Sequence, residues 1–257
     1  MIEPIDSNGF GTPERDSMLS RKKIAILQSN YIPWKGYFDL ISNVDEFILY
    51  DDVQYTKNDW RNRNKIKTPN GSIWLTIPVK HSTNQSIKEI IVNDQKWRIK
   101  HWKTIKQNYT KSKYFNDYKE IFEGLYLNSN HEFLSQINYL FLTTICRILK
   151  ITTKISWSMD YDLTTGKTER LVDLCKQAGA QQYISGPSAK SYINEKIFKK
   201  ENISLLYLDY SGYSEHRQLY PPFEHNVSII DLLFNEGDNA RWFLKSFFNK
   251  GISRLTE

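Results

Sequence analysis

Short apolar runs and amphipathic segments alternate in the first part of the chain. The runs Lys23–Leu27 (KIAIL) and Glu46–Tyr50 (EFILY) predict two buried strands. Between them, Trp34–Asn43 carries apolar residues at helical spacing. A strand, a helix and a second strand within about 30 residues predict two parallel strands joined by a crossover helix. The pattern therefore predicts an α/β fold.

Later segments continue this alternation around a long helical stretch. Apolar residues at helical spacing predict a helical lobe at about 95–150, and the next helix is predicted to begin with Thr168 as its N-cap and to end at Gly179. Ser228 and Asp231 have the spacing of a capping box that opens a last helix. Further strands are predicted at Ser72–Val79, Lys88–Val92, Lys154–Trp157, Gln182–Ser185 and Ser204–Leu208. The elements predict an open, mostly parallel, Rossmann-like sheet flanked by helices, with a helical insertion.

Composition is typical of a folded chain and adds a domain prediction. Of 257 residues, 40% are hydrophobic and 14% aromatic, which argues against disorder. We predict a flexible leader over residues 1–20, which carry acids and no apolar signal-peptide segment, and a single α/β domain over 21–257. The longest apolar run, Ile137–Leu149, contains polar residues and is too short for a membrane span. With two cysteines that lack a CxxC or metal-site spacing, these features predict a cytoplasmic protein.

An excess of basic over acidic residues favours anionic ligands. The chain has 35 Lys and Arg against 29 Asp and Glu, a net charge of +6 that suits a nucleotide, a nucleic acid or another anion. The sequence lacks a complete P-loop motif: Gly166–Thr168 matches the end of the motif, but Tyr161 occupies the position of its first glycine. The five histidines are scattered, so we predict no metal site.

Candidate catalytic residues follow the second strand and lie on the first long helix. Asp51 and Asp52 stand where the ligand crevice of an open α/β sheet is expected. Because adjacent strand residues point to opposite faces, only one of them can face the crevice, and a strand-end turn is an equal explanation. His101 lies on the helix that begins near Gln95, with Tyr109 on roughly the same face. The candidate catalytic residues are Asp51, Asp52 and His101, although a lone histidine is more often structural.

Candidate binding residues cluster in the polar segment Asp51–Lys67. Arginine offers a planar fork for phosphate or carboxylate, and tryptophan stacks on a base or sugar, so the composition fits a nucleotide sugar, an RNA end or a solvated hairpin tip. The loop Gln28–Gly36 follows the first strand, and its small Gly36 permits close approach of a ligand or of the backbone. The candidate substrate-binding residues are Gln28, Tyr31, Gly36, Gln54, Lys57, Trp60, Arg61, Asn62, Arg63, Tyr109, Ser185 and Gly186.

The segments KIAILQSNYIPWKGYFDLI and EFILYDDVQYTKNDWRNRNKIK, followed by WLTIPV, resemble the WbqC-like family of bacterial O-antigen and polysaccharide gene clusters. The resemblance spans about residues 23 to 237, nearly all of the predicted domain. Later matching blocks are Trp97 with Lys100, His101 and Tyr109, the run Gly166–Leu171, Tyr183–Gly186, and Phe223 with Ser228–Gly237. The resemblance implies acyl transfer, in particular aminoacyl or glycyl transfer, to the amino group of a nucleotide-linked amino sugar in lipopolysaccharide biosynthesis.

Such an acyltransferase needs a base for the sugar ammonium, donors for the oxyanion and a clamp for the phosphates. We assign Asp51, Asp52 or His101 as the base, and Arg61 and Arg63 as ligands of anionic groups. The cofactor is unknown: ATP, an aminoacyl-tRNA or a thioester could activate the acyl group. Two alternatives are a nucleotidyltransferase-like enzyme and a non-catalytic sugar-nucleotide-binding protein of a polysaccharide assembly complex.

Overall fold

The computed structural model describes residues 21–247, and the predicted leader over residues 1–20 lies outside them. In chain order the strands are β1 (Lys23–Leu27), β2 (Glu46–Leu49), β3 (Arg63–Thr68), β4 (Gly71–Thr76), β5 (Val79–Lys80), β6 (Ile91–Val92), β7 (Lys154–Trp157), β8 (Gln182–Ser185) and β9 (Ser204–Tyr207). The α-helices are α1 (Lys35–Ser42), α2 (Trp97–Tyr109), α3 (Phe115–Leu127), α4 (Leu134–Ile148), α5 (Thr168–Gln177), α6 (Glu195–Lys200) and α7 (Ile229–Glu236). None of the helices between residues 21 and 247 has the length and apolar character needed to cross a membrane.

Five strands form the central sheet in the order β7-β2-β1-β8-β9, and every neighbouring pair is parallel. Numbered by their order along the chain, these strands run 3-2-1-4-5, which is the strand order of doubly wound, Rossmann-type sheets. The order reverses between β1 and β8, and this reversal is the topological switch point. The predicted α/β fold with a parallel sheet flanked by helices is therefore confirmed.

Both faces of the sheet are buried at its inner strands β1, β2 and β8, whereas the edge strands β7 and β9 are partly exposed. Burial on both faces explains the continuous apolar runs of β1 and β2. Successive residues of a strand point to opposite faces. Ala25 and Phe47 pack in one apolar cluster with α1, α2, α3, α4 and α7, whereas Ile24 and Ile48 pack in a second cluster with α5 and α6. The three helices α2–α4 occupy the segment for which the sequence predicts a helical lobe.

A hairpin outside the sheet differs from the sequence prediction. The predicted strand Ser72–Val79 is divided between β4 and β5, and β4 pairs antiparallel with β3, which the sequence analysis does not predict. The sequence of β3 does not have the hydrophobic pattern of a strand, because one of its buried positions holds Asn64 instead of an apolar residue. The Asn64 amide donates to the main-chain carbonyls of Tyr31, at 3.1 Å, and Ile32, at 2.9 Å. These hydrogen bonds tie the hairpin to the loop after β1.

Two predicted helix caps have different outcomes. Thr168 is the first residue of α5 and not its N-cap, which is Lys167, and the Thr168 hydroxyl instead accepts a hydrogen bond from the main-chain amide of Asn194. Ser228 caps α7 as predicted by accepting from an amide of the first turn. The carboxylate of Asp231 turns to other partners and does not complete the predicted capping box.

We expect Gly36→Ala to lower the free energy of unfolding by about 1–3 kcal/mol, the usual cost of overpacking a close contact. A Cβ at Gly36, in the first turn of α1, would lie 2.3 Å from the indole of Trp34. Urea denaturation would measure the change. Gly124→Ala in α3 is the matched control, because the nearest atom to its Cβ would be 3.8 Å away. The control should be neutral or stabilising by about 0.5–1 kcal/mol, and equal losses in both variants would contradict the expectation.

Candidate functional site

A cleft of about 570 Å³ lies at the carboxyl end of the sheet, beside the switch point. Gln28 contributes from the loop after β1 and Asp52 from the loop after β2. Lys167 and Arg170 contribute from the start of α5, and Tyr192 from the segment after β8. Doubly wound proteins bind their ligands at this position of the fold. We call this the switch-point cleft.

One wall of the switch-point cleft is cationic. Lys167 and Arg170 stand at the N-terminus of α5, and the Arg170 Nε donates to the carbonyl of Thr164 at 2.7 Å. Neither cation forms an ion pair with any residue between 21 and 247. Gly166 precedes them with φ +94°, a backbone conformation that favours glycine. Unpaired cations at a helix N-terminus attract anions, so this wall suits a phosphate or carboxylate group.

A second, smaller cavity of about 300 Å³ is also lined by residues of the loop after β1. Its apolar walls are Trp34 and Trp60, and Asn30, Asn64 and Asn226 add amides. We call this the indole pocket. Aromatic walls with a few amides are typical of sites that hold a flat or ring-shaped ligand.

Gly36 takes part in this pocket indirectly. Its missing Cβ lets the Trp34 indole lie against the start of α1. The sequence analysis expects a ligand or the backbone to approach Gly36, but the group that lies against it is the side chain of Trp34. Gly36 therefore sets the position of one wall of the indole pocket.

Arg61 lies at the junction of the two cavities. Its guanidinium donates to the side-chain oxygens of Gln28, which lines the switch-point cleft, and Asn30, which lines the indole pocket. A carboxylate oxygen of Asp59 lies 3.5 Å from the guanidinium, and the Arg61 side chain is only 13% exposed. Because the loop after β1 holds it at two points, Arg61 has a fixed position between the cavities.

Asp51 is fully buried in the same region. Its Oδ1 accepts a hydrogen bond from the main-chain amide of Ser29 at 2.8 Å, while its Oδ2 has no hydrogen-bond partner within the described residues. Burial raises the pKa of this carboxyl to about 6, although hydrogen bonds from Ser29 and the charge of Arg61 offset part of the rise. Asp51 therefore titrates near neutrality and keeps one oxygen available to take up a proton.

Asn138 of α4 joins the parts of this arrangement. Its Nδ2 donates to the Ser29 hydroxyl at 3.0 Å and to the main-chain carbonyl of Arg61 at 2.9 Å. In the sequence, Asn138 is only a polar interruption of an apolar run. In the structure, it fixes the backbone beside both Asp51 and Arg61.

Asp52 points away from Asp51 to different partners. Its carboxylate accepts hydrogen bonds from Lys88 Nζ, at 2.5 Å, and from the Ser158 hydroxyl. This agrees with the expectation that the two adjacent acids face different sides. Both oxygens of Asp52 are engaged, so its visible role is to fix the loop after β2 along the switch-point cleft. Gln54 lines the same cleft, and Lys57 is exposed on this loop.

His101 lies in a buried aromatic cluster. Its Nε2 lies 3.2 Å from the carbonyl of Thr76, which can only accept, so Nε2 carries the proton. Its Nδ1 then accepts from the hydroxyl of Tyr31 at 2.9 Å, and Tyr31 accepts from the hydroxyl of Tyr126 at 2.7 Å. Burial lowers the pKa of His101 to about 4. The histidine is therefore neutral at pH 7, with both ring nitrogens engaged.

Tyr109 also lies in a buried cluster, centred on Asp231. The Asp231 carboxylate accepts from the hydroxyl of Tyr109 at 3.0 Å, from Nε2 of His216 at 2.8 Å and from Nε2 of Gln218 at 2.9 Å. This cluster joins α2 to α7 and the segment before it. In the part of the chain that the structure describes, no group of three or more His, Cys, Asp or Glu side chains could hold a metal ion.

The remaining candidate residues have local contacts. The Asn62 amide donates to the carbonyl of Ile77 at 2.8 Å and supports the base of the β3–β4 hairpin. The Arg63 guanidinium lies over the ring of Trp74, 4.2 Å from its centroid. Ser185 is the last residue of β8, next to the switch point, and Gly186 follows it. The structure thus brings Gln28, Gln54 and Trp60 to the walls of the two cavities and places Arg61 between them. Tyr31, Tyr109 and His101 are buried, although His101 also lines a groove between β4 and α2.

Glu46, at the other end of β2, contrasts with Asp51. It is buried and accepts hydrogen bonds from Lys22, Lys154, Ser156 and Tyr161. Burial raises the pKa of Glu46, but these hydrogen bonds outweigh it and bring the pKa to about 2. The two ends of one strand therefore hold carboxyl groups that are perturbed in opposite directions.

The fold and the two cavities define a doubly wound α/β protein with a cation-walled cleft at its switch point. The sequence profile of the WbqC-like protein family matches residues 28–242, and the chain belongs to this family. The chain is 49% identical over 226 residues to the uncharacterized protein Rv1507c of Mycobacterium tuberculosis, covering 87% of this chain and 98% of that protein. No solved structure matches the chain.

We expect Asp51→Asn and Glu46→Gln to change the pH dependence of stability in opposite ways. With a folded pKa of about 6 against an ordinary value near 3.8, Asp51 keeps its proton longer when folded, so native stability falls by up to about 3 kcal/mol as the pH rises from 4 to 6. Asp51→Asn should remove this fall. Glu46, with a pKa of about 2, stabilises the fold above pH 4.5 and loses this effect as the pH falls, so Glu46→Gln should cost more at pH 6 than at pH 3.

Urea denaturation of both variants and the wild type between pH 3 and pH 8 would measure these changes. A constant difference between Asp51→Asn and the wild type over this range would show that Asp51 has an ordinary pKa.

Proposed function

We propose that this protein transfers an acyl group, in particular an aminoacyl group such as glycyl, to the amino group of a nucleotide-linked amino sugar in the cytoplasmic steps of O-antigen or other surface polysaccharide biosynthesis. The observation that carries the proposal is the junction at Arg61, where an anion-attracting cleft, an indole pocket and the proton-accepting carboxyl of Asp51 lie together. The family resemblance supplies the class of reaction.

The switch-point cleft supports binding of the nucleotide. Its volume of about 570 Å³ falls within the range typical of small-molecule sites. In the proposed complex, the phosphates contact Lys167, Arg170 and the amides at the N-terminus of α5. The half-exposed ring of Tyr192 offers a stacking surface for the base or the sugar. The sugar amino group then points towards Arg61 and Asp51.

The proposed reaction moves two protons and one acyl group. Oδ2 of Asp51 takes a proton from the sugar ammonium, and the free amine attacks the carbonyl carbon of the acyl donor. The new C–N bond forms first, and the bond to the leaving group then breaks; its electron pair departs with that group, which takes the second proton from the nitrogen. Arg61 and the Asn30 amide supply donors for the developing oxyanion. Because Asp51 is fully buried, substrate binding has to displace the side chain of Gln28 or Arg61.

Asp51 fits the role of base better than the other two candidates do. With a pKa of about 6 it is mostly ionised at pH 7 and still basic enough to accept a proton. Asp52 has both oxygens engaged by Lys88 and Ser158. His101 has both ring nitrogens engaged and a pKa of about 4.

We expect Arg170→Gln to weaken binding of a UDP-linked or dTDP-linked amino sugar roughly 10- to 100-fold, because a charge-assisted hydrogen bond contributes about 1.5–3 kcal/mol. Isothermal titration calorimetry would measure the change. Arg147→Gln on α4 is the matched control, since Arg147 is exposed and does not line the switch-point cleft. Equal affinities of wild type and Arg170→Gln would contradict the proposed phosphate site.

We expect the wild type to add one glycyl unit to the amino sugar, as detected by mass spectrometry. Glycine with ATP, glycyl-tRNA and a glycyl thioester would be tested as separate donors. The pH profile of kcat/KM should show an ascending limb with a pKa near 6, and Asp51→Asn should lower kcat/KM by at least about 100-fold. Asp45→Asn, at the opposite edge of the sheet, should keep the profile.

The two alternatives give different results in this experiment. Tight binding of the sugar nucleotide without acyl transfer from any donor would contradict the proposal and indicate a non-catalytic binding protein. Turnover of the nucleotide without an acylated product would indicate a nucleotidyltransferase-like enzyme.

A further inference from the structure

Two large indoles are exposed side by side at the edge of the indole pocket. Trp60 is 40% exposed and Trp74 is 41% exposed, and their ring centroids are 5.3 Å apart. Trp60 lines the indole pocket, whereas Trp74 lines a groove of about 560 Å³ between β4 and α2. A pair of exposed tryptophans costs solubility and contributes little to the core, so it points to a binding surface.

Cations surround this pair. Arg63 lies 4.2 Å and Lys65 lies 5.4 Å from the ring centroid of Trp74, and Lys96 and Lys100 line the same groove from α2. These four cations and the two tryptophans form what we call the tryptophan–lysine surface. It is continuous with the indole pocket because Trp60 belongs to both.

The acids of this region neutralise only part of its charge. Glu224 pairs with Lys65 at 3.4 Å, and the Asp94 carboxylate accepts from the main-chain amide of Lys96. Arg63, Lys96 and Lys100 form no ion pair among the residues that the structure describes. The surface therefore keeps an excess of positive charge next to stacking rings.

Single-stranded nucleic acid matches this combination better than a protein does. Unpaired bases stack on aromatic side chains while the phosphates lie against Lys and Arg. The centre of a protein interface is depleted of charge, and lysine is depleted there in particular. Here the cations lie directly over and beside the exposed rings. RNA is favoured because the terminal ribose hydroxyls at its 3′ end form acyl esters, which are activated donors.

We propose that the tryptophan–lysine surface binds the single-stranded 3′ end of an RNA and directs it into the indole pocket. The proposed RNA binding is argued from the tryptophan rings and the cations described above. The delivery of an acyl group to Arg61 rests, in addition, on the proposed acyl transfer. In this arrangement the last bases stack on Trp74 and Trp60, and the backbone phosphates contact Lys96, Lys100 and Arg63.

Fluorescence anisotropy with two labelled RNA hairpins tests the proposal. One hairpin ends in a four-nucleotide single-stranded 3′ overhang, and the other has the same stem with a blunt end. We expect the overhang hairpin to bind at least tenfold more tightly. Trp74→Ala should weaken its binding roughly 10-fold or more, because stacking contributes about 1–3 kcal/mol per base. Lys96→Gln with Lys100→Gln should weaken binding and reduce the salt slope by about 1.4.

Matched controls are available on other surfaces. Trp242 is 46% exposed with the Arg241 guanidinium 4.6 Å from its ring centroid, so Trp242→Ala removes a similar cation-covered indole elsewhere. Lys199→Gln with Lys200→Gln removes two exposed charges on α6. Neither control should change the affinity for the overhang hairpin. Trp74→Ala should retain the circular dichroism spectrum and the sugar-nucleotide affinity of the wild type.

Equal affinities for the two hairpins, or an equal loss from Trp242→Ala and Trp74→Ala, would overturn the RNA proposal. Glycyl transfer from a thioester or from glycine with ATP, combined with no RNA binding, would also overturn it while leaving the proposed acyl transfer intact. Overhang-specific RNA binding without acylation of any amino sugar would support the RNA site and contradict the acyl transfer.

Discussion

The hydrogen bond from the Ser29 amide to Asp51 joins the two loops that leave the central strands β1 and β2. Gln28 and Asn30 flank Ser29, so the same bond sets the positions from which both side chains hold Arg61. A parallel sheet brings the ends of adjacent strands to one edge, but it does not fix the loops that follow. In this protein the loops are fixed by a buried carboxyl at the second strand.

Burying the Asp51 carboxyl costs stability, whereas the buried carboxyl at the other edge of the sheet, Glu46, is stabilised by its partners. Glu46, where β2 begins, is surrounded by two lysines and two hydroxyls, whereas Asp51, just past the end of β2, has one main-chain donor and an unpaired oxygen. A buried carboxyl with too few partners weakens the fold, and such groups are concentrated at functional sites. The edge of the sheet that holds Glu46 is therefore suited to stability, and the edge that holds Asp51 is suited to binding and proton transfer.

Much of the central sheet could be predicted because its inner strands are buried on both faces. The segments Lys23–Leu27, Lys154–Trp157 and Gln182–Ser185 have the predicted bounds. The apolar run of β1 is typical of a strand in a parallel sheet. The strand β3 was missed because Asn64 replaces an apolar residue and satisfies two main-chain carbonyls. The hydrophobic pattern of the sequence does not show that a buried strand position is occupied by a polar residue.

Residues of the candidate site that follow a strand can be proposed from the sequence: Gln28 comes directly after β1, and Asp51 comes two residues after the end of β2. Lys167 and Arg170 were missed because only the crossing of α5 to the switch point brings them to the cleft, and their P-loop-like segment lacks a P-loop's first glycine. Helical spacing placed His101 and Tyr109 on one face of α2 but could not show that this face is turned to the core. Distinguishing a buried hydrogen-bond cluster from a ligand site needs the three-dimensional partners.

The contacts of Asn138 also determine when the site can form. Its partners Arg61 and Ser29 lie 77 and 109 residues earlier in the chain. During synthesis, β1, β2 and the β3–β4 hairpin therefore leave the ribosome well before α4, whose Asn138 forms these hydrogen bonds. The cationic residues of α5 emerge later still. The switch-point cleft is incomplete until α5 has emerged, so a partly synthesised chain cannot bind a ligand there as the full chain can.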